Sequence, residues 1–401
     1  MPSGFQGPWG INALAVRDFQ AALRVPIGPL SEPTFRAGMR AFLVASSLAW
    51  VILCAALLRA SPAPPARIAA PVWGAVAVAV AVLCPPSLSH DVYLYVGYAR
   101  LGVVHHLNPY VAGQAALAAL HDPTAPYATW SISSPYGPLW TLICMVPVGL
   151  ARGASLWAQV VVLKLLAAGA LIAAAHGGRR LAERLAPGRG DAVFTALSLQ
   201  PFLLIEGPGN GHNDLVLVAC VLWALAAMAD ERPRRALALV GVGAAVKFVP
   251  LLLAPWFAWR ALRRGAGAPF LAVALVLALG PLVASYVPFW HGLETLRGLE
   301  RRWALAPASD GGPHWGAPLA AAASYAALTV WALRGDARRL VLGWVAAALV
   351  SIVLLGGTWY PWYFTWPLAA ALTLPNRRGT LVAALVFCCA AFLTLRYAAP
   401  V

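Results

Sequence analysis

Apolar residues in this chain come in long runs, separated by short turns that are either basic or rich in aromatic and polar residues. A run of about 20 apolar residues crosses the ~30 Å hydrocarbon core of a bilayer as a helix. The runs at 41–58, 68–86, 155–175, 192–205, 215–229, 270–290, 318–333, 340–355, 362–374 and 381–395 read as crossings. Two runs break the pattern. The run at 139–150 is short and contains Pro147, so it is expected to lie in or dip into one membrane face. The run at 236–259 has Arg235 and Arg260 at its ends and is interrupted from Lys247 to Pro250. Proline removes a helical hydrogen bond, so this run is expected to be a re-entrant hairpin that leaves and returns on one side. Non-helical backbone at that depth must face protein or a water-filled cavity.

The expected fold is therefore an all-α polytopic transmembrane bundle, with about 11–13 membrane helices including short re-entrant ones. Residues 1–40 form an N-terminal segment in which 20–25 suits a short interfacial helix. Residues 41–397 form a single transmembrane domain, with large outer loops at 87–137 and 291–316.

Composition supports this. The chain is 61% hydrophobic and 11% charged, against about 25% charged in soluble domains. Its formal charge of +15 would suggest nucleic acid in a soluble protein. Here the arginines sit in short loops, so topology explains them and no nucleic-acid partner is expected; contact with anionic lipid head groups is the alternative. Residues 1–40 lack the short apolar core of a cleavable signal peptide. All six cysteines lie in or beside apolar runs and read as packing residues. Placing the loops that start at Arg59, Arg179, Arg232, Arg260, Arg334 and Arg377 in the cytoplasm puts four polar clusters on the outer face.

The first cluster is Asp91 with His90, Tyr93, Tyr95, Arg100, Asn108 and Tyr110. A carboxylate at a membrane boundary is costly unless it is hydrated or partnered. Asp91 reads as a general base, with a helix N-cap as the alternative. The second cluster runs from Ser134 through Tyr136 to Trp140. The third is Asn210, Gly211, His212, Asn213 and Asp214, with Glu206. A glycine-rich turn at a helix N-terminus suits an anion; an N-cap and a divalent-metal site are the alternatives. The fourth comprises Arg297, Arg301, Arg302 and His314, with the aromatic run from Trp359 and Tyr360 to Trp366. That run suits an interfacial belt or a sugar-stacking platform. Lys247 lies inside the apolar hairpin, either snorkelling to an interface or pairing with a lipid phosphate. Arg301 and Arg302 suit a phosphate clamp or plain surface charge.

These motifs follow one another in a recognisable order: Pro85, Pro86, Ser89, His90, Asp91, Tyr93 and Tyr95; Asn108, Pro109 and Tyr110; Ser134 to Leu139; Gly211 to Asp214; Ala245 to Lys247; Trp362, Tyr363 and Trp366. The ordered set resembles the membrane-embedded glycosyltransferases of the GT-C superfamily, and among them the bacterial polyprenol-phosphate-mannose-dependent α-mannosyltransferases. The resemblance implies a multi-pass protein of the bacterial cytoplasmic membrane with its site on the extracytoplasmic face. It implies inverting transfer of a hexose, mannose first, from a polyprenyl-phosphate donor to a lipid or glycan acceptor. Asp91 matches the family's catalytic aspartate. His212, Asn213, Asp214, Lys247, Arg301, His314 and Tyr360 are then expected at the donor, and His90, Tyr95, Asn108 and Tyr136 at the acceptor. No Asp-x-Asp motif is present, so no metal ligand is assigned, although a divalent metal stays open as a cofactor. A lipid-linked sugar transporter, or transfer of glucose or arabinose, are the competing readings.

Overall fold

The structure, a computed structural model, describes residues 32–59, 64–86, 88–128, 132–297, 316–355, 360–374 and 376–398. These residues form an all-α polytopic bundle whose one β feature is an isolated bridge between His291 and Leu293. Among them, five helical stretches are long and apolar enough to cross a membrane: Leu156–Leu185, Phe270–Phe289, Gly316–Leu333, Ala337–Leu354 and Arg377–Thr394. Shorter apolar helices pack between them. Side chains such as Leu275 and Val276 are 61% and 67% exposed, as lipid-facing positions should be.

In chain order the helices are α1 (Glu32–Arg59), α2 (Pro64–Leu83), α3 (Asp91–Val103), α4 (Ala115–Ala119), α5 (Pro138–Leu150), α6 (Leu156–Leu185), α7 (Gly190–Ser198) and α8 (Pro201–Leu204). They continue with α9 (Asp214–Ala229), α10 (Pro233–Val246), α11 (Ala254–Arg263), α12 (Phe270–Tyr286), α13 (Gly316–Leu333), α14 (Ala337–Val350), α15 (Thr365–Leu372) and α16 (Arg377–Ala398). α6 is the central pillar. Ser155 caps it by accepting the Ala158 N–H at 3.2 Å. Gly177 lets α6 approach α9 until it meets Leu222 and Trp223, the close small-residue packing that membrane helices favour. One core cluster spans α6, α9, α10, α14 and α15; a second joins α3, α5 and the first half of α6.

Three segments differ from the sequence expectation. The first helix begins at Glu32, ahead of the expected span at 41–58. The expected crossing at 192–205 is broken: α7 stops at Ser198, and the buried Gln200 side chain then caps α8 by accepting the Leu203 N–H at 2.9 Å. A π-helical turn, Ile205–Gly209, follows. The polar stretch at 87–137 is no open loop either, because α3 lies within it and is buried over most of its length.

The hairpin carries the fold's main logic. α10 stops where Lys247 turns extended, three residues before Pro250. A continued helix would drive the proline ring into the Val246 carbonyl. The break frees that carbonyl, which accepts the Gly137 N–H at 3.2 Å. The chain then returns through a 3₁₀ turn, Val249–Leu253, into α11. Arg264 closes the hairpin with an ion pair to Glu231 at 3.2 Å, so both ends lie together, as the re-entrant reading requires. Other basic loops gather at this same end. Arg260 donates to the Gly335 carbonyl, Arg338 donates to the Leu185 carbonyl, and Arg180 pairs with Asp230. Lys247 marks the far tip.

Gly137 is forced by this contact. A β-carbon there would collide with the backbone carbonyls of Ala245 and Val246, which cannot yield as a flexible side chain does. Gly137→Ala is expected to lower stability by about 1–3 kcal/mol, read as the thermal midpoint in detergent. Gly169, mid-α6 with nothing within 4 Å of its added β-carbon, is the control. Gly169→Ala should be neutral or stabilising by up to about 1 kcal/mol, and equal loss at both positions would contradict the close-approach argument.

Candidate active site

Three elements deliver the polar residues. α3 starts at Asp91, with His90 as its N-cap residue and the Ser89 hydroxyl accepting the Asp91 N–H at 3.2 Å. A carboxylate in a first helical turn is favoured by the helix dipole. The π-helical turn and the bend after it deliver Glu206, Asn210 and His212. Gly211 adopts φ +75°, which only glycine accepts without strain, with Val92 and Lys164 packed against it. The hairpin tip delivers Lys247.

His212 is fully buried between two carboxylates. Its Nδ1 lies 3.6 Å from Asp91 Oδ2, and its Nε2 lies 3.3 Å from Glu206 Oε2. Asn210 donates to that same Glu206 oxygen at 3.0 Å and accepts the Leu88 N–H at 3.1 Å. The turn and the strand of chain entering α3 are thereby tied together. Asp214 opens α9 and accepts from Lys247 Nζ at 2.7 Å and from the Trp366 indole at 2.6 Å. Tyr95 donates to Asn213 Oδ1 at 3.3 Å. Lys247 also sits over the rings of Tyr363 and Trp366, at 4.7 and 5.3 Å from their centroids.

Aromatic rings form the wall. His212 stacks on Trp362 with centroids 4.3 Å apart, and Trp362 stacks on Tyr360 at 4.5 Å. Tyr136 meets Tyr95 edge-on at 4.7 Å. Asp91, His90, Tyr95, His212, Asn213, Asp214, Lys247 and Tyr360 are thus brought into one linked cluster. Tyr136 joins it through Tyr95. Asn108 is engaged elsewhere: it donates to the Phe289 carbonyl at 2.7 Å and caps Tyr110 at 2.9 Å. Arg301, Arg302, His314 and Trp359 lie outside the described residues. Among the described residues no three His, Cys, Asp or Glu side chains are grouped as metal ligands.

Two contributions were not anticipated, from Glu206 and Lys164, and one open alternative, for the aromatic run, is narrowed. Glu206, weighed only as a metal ligand, instead anchors His212. Trp362 and Trp366 belong to the cluster rather than to a peripheral belt. Lys164 is fully buried in α6 and donates to the Cys84 carbonyl, just ahead of the stretch that delivers Asp91. A lysine within an apolar run was the available signal for it.

Electrostatics separates the two histidines beside Asp91. Burial pushes the His90 pKa down, and this outweighs the opposing pull of the Asp91 charge. Burial also opposes a charge on His212, but the Glu206 hydrogen bond and the Asp91, Glu206 and Asp214 charges more than offset it, so its pKa is raised. Environments that push neighbouring groups apart are how acid and base roles are divided in catalytic sites.

The chain matches the family model for the N-terminal domain of alpha-(1->6)-mannopyranosyltransferases over residues 7–264, more than half its length and including Asp91, His212, Asp214 and Lys247. The chain belongs to this family. It is also 26% identical over 340 residues to alpha-(1->6)-mannopyranosyltransferase A of Mycobacterium tuberculosis, across 75% of this chain. It spans 64% of that relative's length. In this mannopyranosyltransferase-family chain the aromatic wall from Tyr360 to Trp366 lies beyond the matched N-terminal domain.

Two outcomes test the cluster. A histidine with a raised folded-state pKa stabilises the fold fully below its unfolded value of about 6.5 and loses that contribution as pH rises through the folded value. The thermal-midpoint gap between wild type and His212→Gln should therefore hold at pH below about 6.5 and narrow as pH rises above it; a pH-independent gap would argue against a charged His212. Lys247→Met strands the buried Asp214 carboxylate and should cost about 3–5 kcal/mol. Pairing it with Asp214→Asn should recover part of that loss, and strict additivity would mean the two residues do not interact.

Proposed function

We propose that the chain is a membrane-embedded glycosyltransferase that moves a hexose, mannose foremost, from a polyprenyl-phosphate donor to a lipid- or glycan-linked acceptor hydroxyl. The transfer is inverting and takes place on the extracytoplasmic face of a bacterial cytoplasmic membrane. The observation that carries this reading is the pairing of the Asp91 carboxylate with His212, 3.6 Å apart, at the start of α3. The mycobacterial relative is a mannopyranosyltransferase by name, which supports mannose as the sugar.

In this reading the acceptor oxygen attacks the anomeric carbon while Asp91 takes its proton. The C–O bond to polyprenyl phosphate breaks on the opposite face, and the electron pair leaves with the phosphate. Phosphate is a good leaving group, so developing negative charge needs stabilisation more than protonation. His212, with its raised pKa, and Lys247 supply positive charge within the same cluster. Glu206 and Asn210 hold the His212 turn in place, and the Trp362–Tyr360 stack offers a face for a sugar ring. A donor with a long isoprenoid tail cannot leave the bilayer, which accounts for an active site built into membrane helices.

The test is transfer from radiolabelled polyprenyl-phosphate mannose to membrane acceptors. General-base catalysis contributes about 10²–10⁴-fold. Asp91→Asn should therefore lower kcat by at least about 100-fold while donor binding persists; near-normal turnover would remove Asp91 from this role.

A further inference from the structure

The basic end of the bundle, opposite the hairpin tip, holds a cavity that the proposed transfer reaction does not use. It measures about 340 Å³ and is lined by Arg180, Arg232, Arg235, Asp230, Trp223 and two alanines of α9. A second cavity of about 330 Å³ adjoins it, sharing Arg180 and Trp223 and adding His176, Arg179 and Glu183. Together they make a groove between the end of α6 and the α9–α10 turn. Each is within the size range of small-ligand sites, about 300–1,000 Å³.

The groove's height in the membrane follows from α6. This helix has 30 residues, which at 1.5 Å per residue is about 45 Å, longer than the ~30 Å hydrocarbon core. Its first 20 residues suffice to cross; its last turns, from His176 onward, project into the head-group layer. Trp223 ties α9 to α6 just below these turns, donating its indole N–H to the Ala173 carbonyl at 2.9 Å.

The charge is unbalanced and ordered. Three arginines line the first cavity against one carboxylate, Asp230. Arg180 holds that carboxylate with both Nε and Nη2, at 3.0 and 2.9 Å, and Arg184 pairs with it from outside. Arg235 lies over the Trp223 ring, 5.7 Å from its centroid. A general rule of basic loops on one membrane side accounts for arginines here; it does not account for a groove that three of them line, one lying over a tryptophan.

We infer that this groove binds the phosphate of an anionic phospholipid, with Arg232 and Arg235 facing the phosphate, Arg180 and Asp230 forming the fixed rim, and the acyl chains lying along the exposed face of α6 that carries Leu165, Leu166 and Ile172. A basic pocket between membrane helices suits such a head group, and a phosphate fills the excess positive charge that Asp230 leaves.

The test uses the full chain purified in detergent, as wild type, Arg232→Gln/Arg235→Gln and Arg234→Gln. Arg234 is exposed in the same turn but does not line the cavity. Thermal midpoints are read with added phosphatidylglycerol, phosphatidylcholine or inorganic phosphate. Phosphatidylglycerol should raise the wild-type and Arg234→Gln midpoints by about 4 °C or more near saturation, and phosphatidylcholine should not. The double variant should lose most of that shift. An equal shift from inorganic phosphate, also lost in the double variant, would support the phosphate site but assign it to a soluble anion. Equal responses in all three proteins, or an equal loss in Arg234→Gln, would reduce the effect to surface charge and overturn the site. Should the double variant fail to fold, Arg232→Gln alone, at the exposed N-cap of α10, carries the same comparison.

Discussion

The arrangement rests on one ion pair at the tip of a broken helix. Lys247 and Asp214 meet at 2.7 Å in surroundings where neither charge would be tolerated alone. Pro250 places the break, the break extends Lys247, and the extended lysine reaches the first residue of α9. The same break releases the Val246 carbonyl to Gly137, which seats the start of α5 on the hairpin. Three separated segments are therefore locked together by the consequences of a single missing helical hydrogen bond.

Around that lock several polar residues are linked to one another. Asn210 links Glu206 to Leu88, Glu206 holds His212, and Trp366 shares Asp214 with Lys247. In a low-dielectric setting such a network is rigid when complete and costly when broken. This explains why the turn from Glu206 to Asp214 is built from glycines, a proline and a π-helical turn. An ordinary helix continuing from α8 would carry Glu206 and His212 to different faces. π-Helical turns of this kind are common where a side chain must be re-aimed.

Much of this was legible in the order of residues, for identifiable reasons. Ionisable residues in apolar context stand out, so Asp91, His212, Asp214 and Lys247 were visible as candidates. Arginines at both ends of one apolar run, with a proline between, gave the hairpin. Other features were hidden. The break at Gln200 depends on a side chain capping the backbone, and the apolar run around it masks the interruption. The stretch carrying α3 was read as loop because it is rich in tyrosine, histidine and aspartate; in a membrane bundle those residues mark a helix turned inward. The sequence leaves the aromatic run holding Trp362 and Trp366 open between a belt and a stacking platform, because their partners lie some 150 positions earlier and periodicity carries no information at that range.

The ring stack from His212 through Trp362 to Tyr360 has a consequence for how such a protein can be divided. The segment that defines the family supplies the acid, the imidazole and the ammonium, yet the wall behind them arrives from the far end of the polypeptide, together with the indole that shares Asp214. An isolated amino-terminal fragment would lack the rings that cover these charges. The candidate site is accordingly a joint product of both halves, and neither inherits it alone.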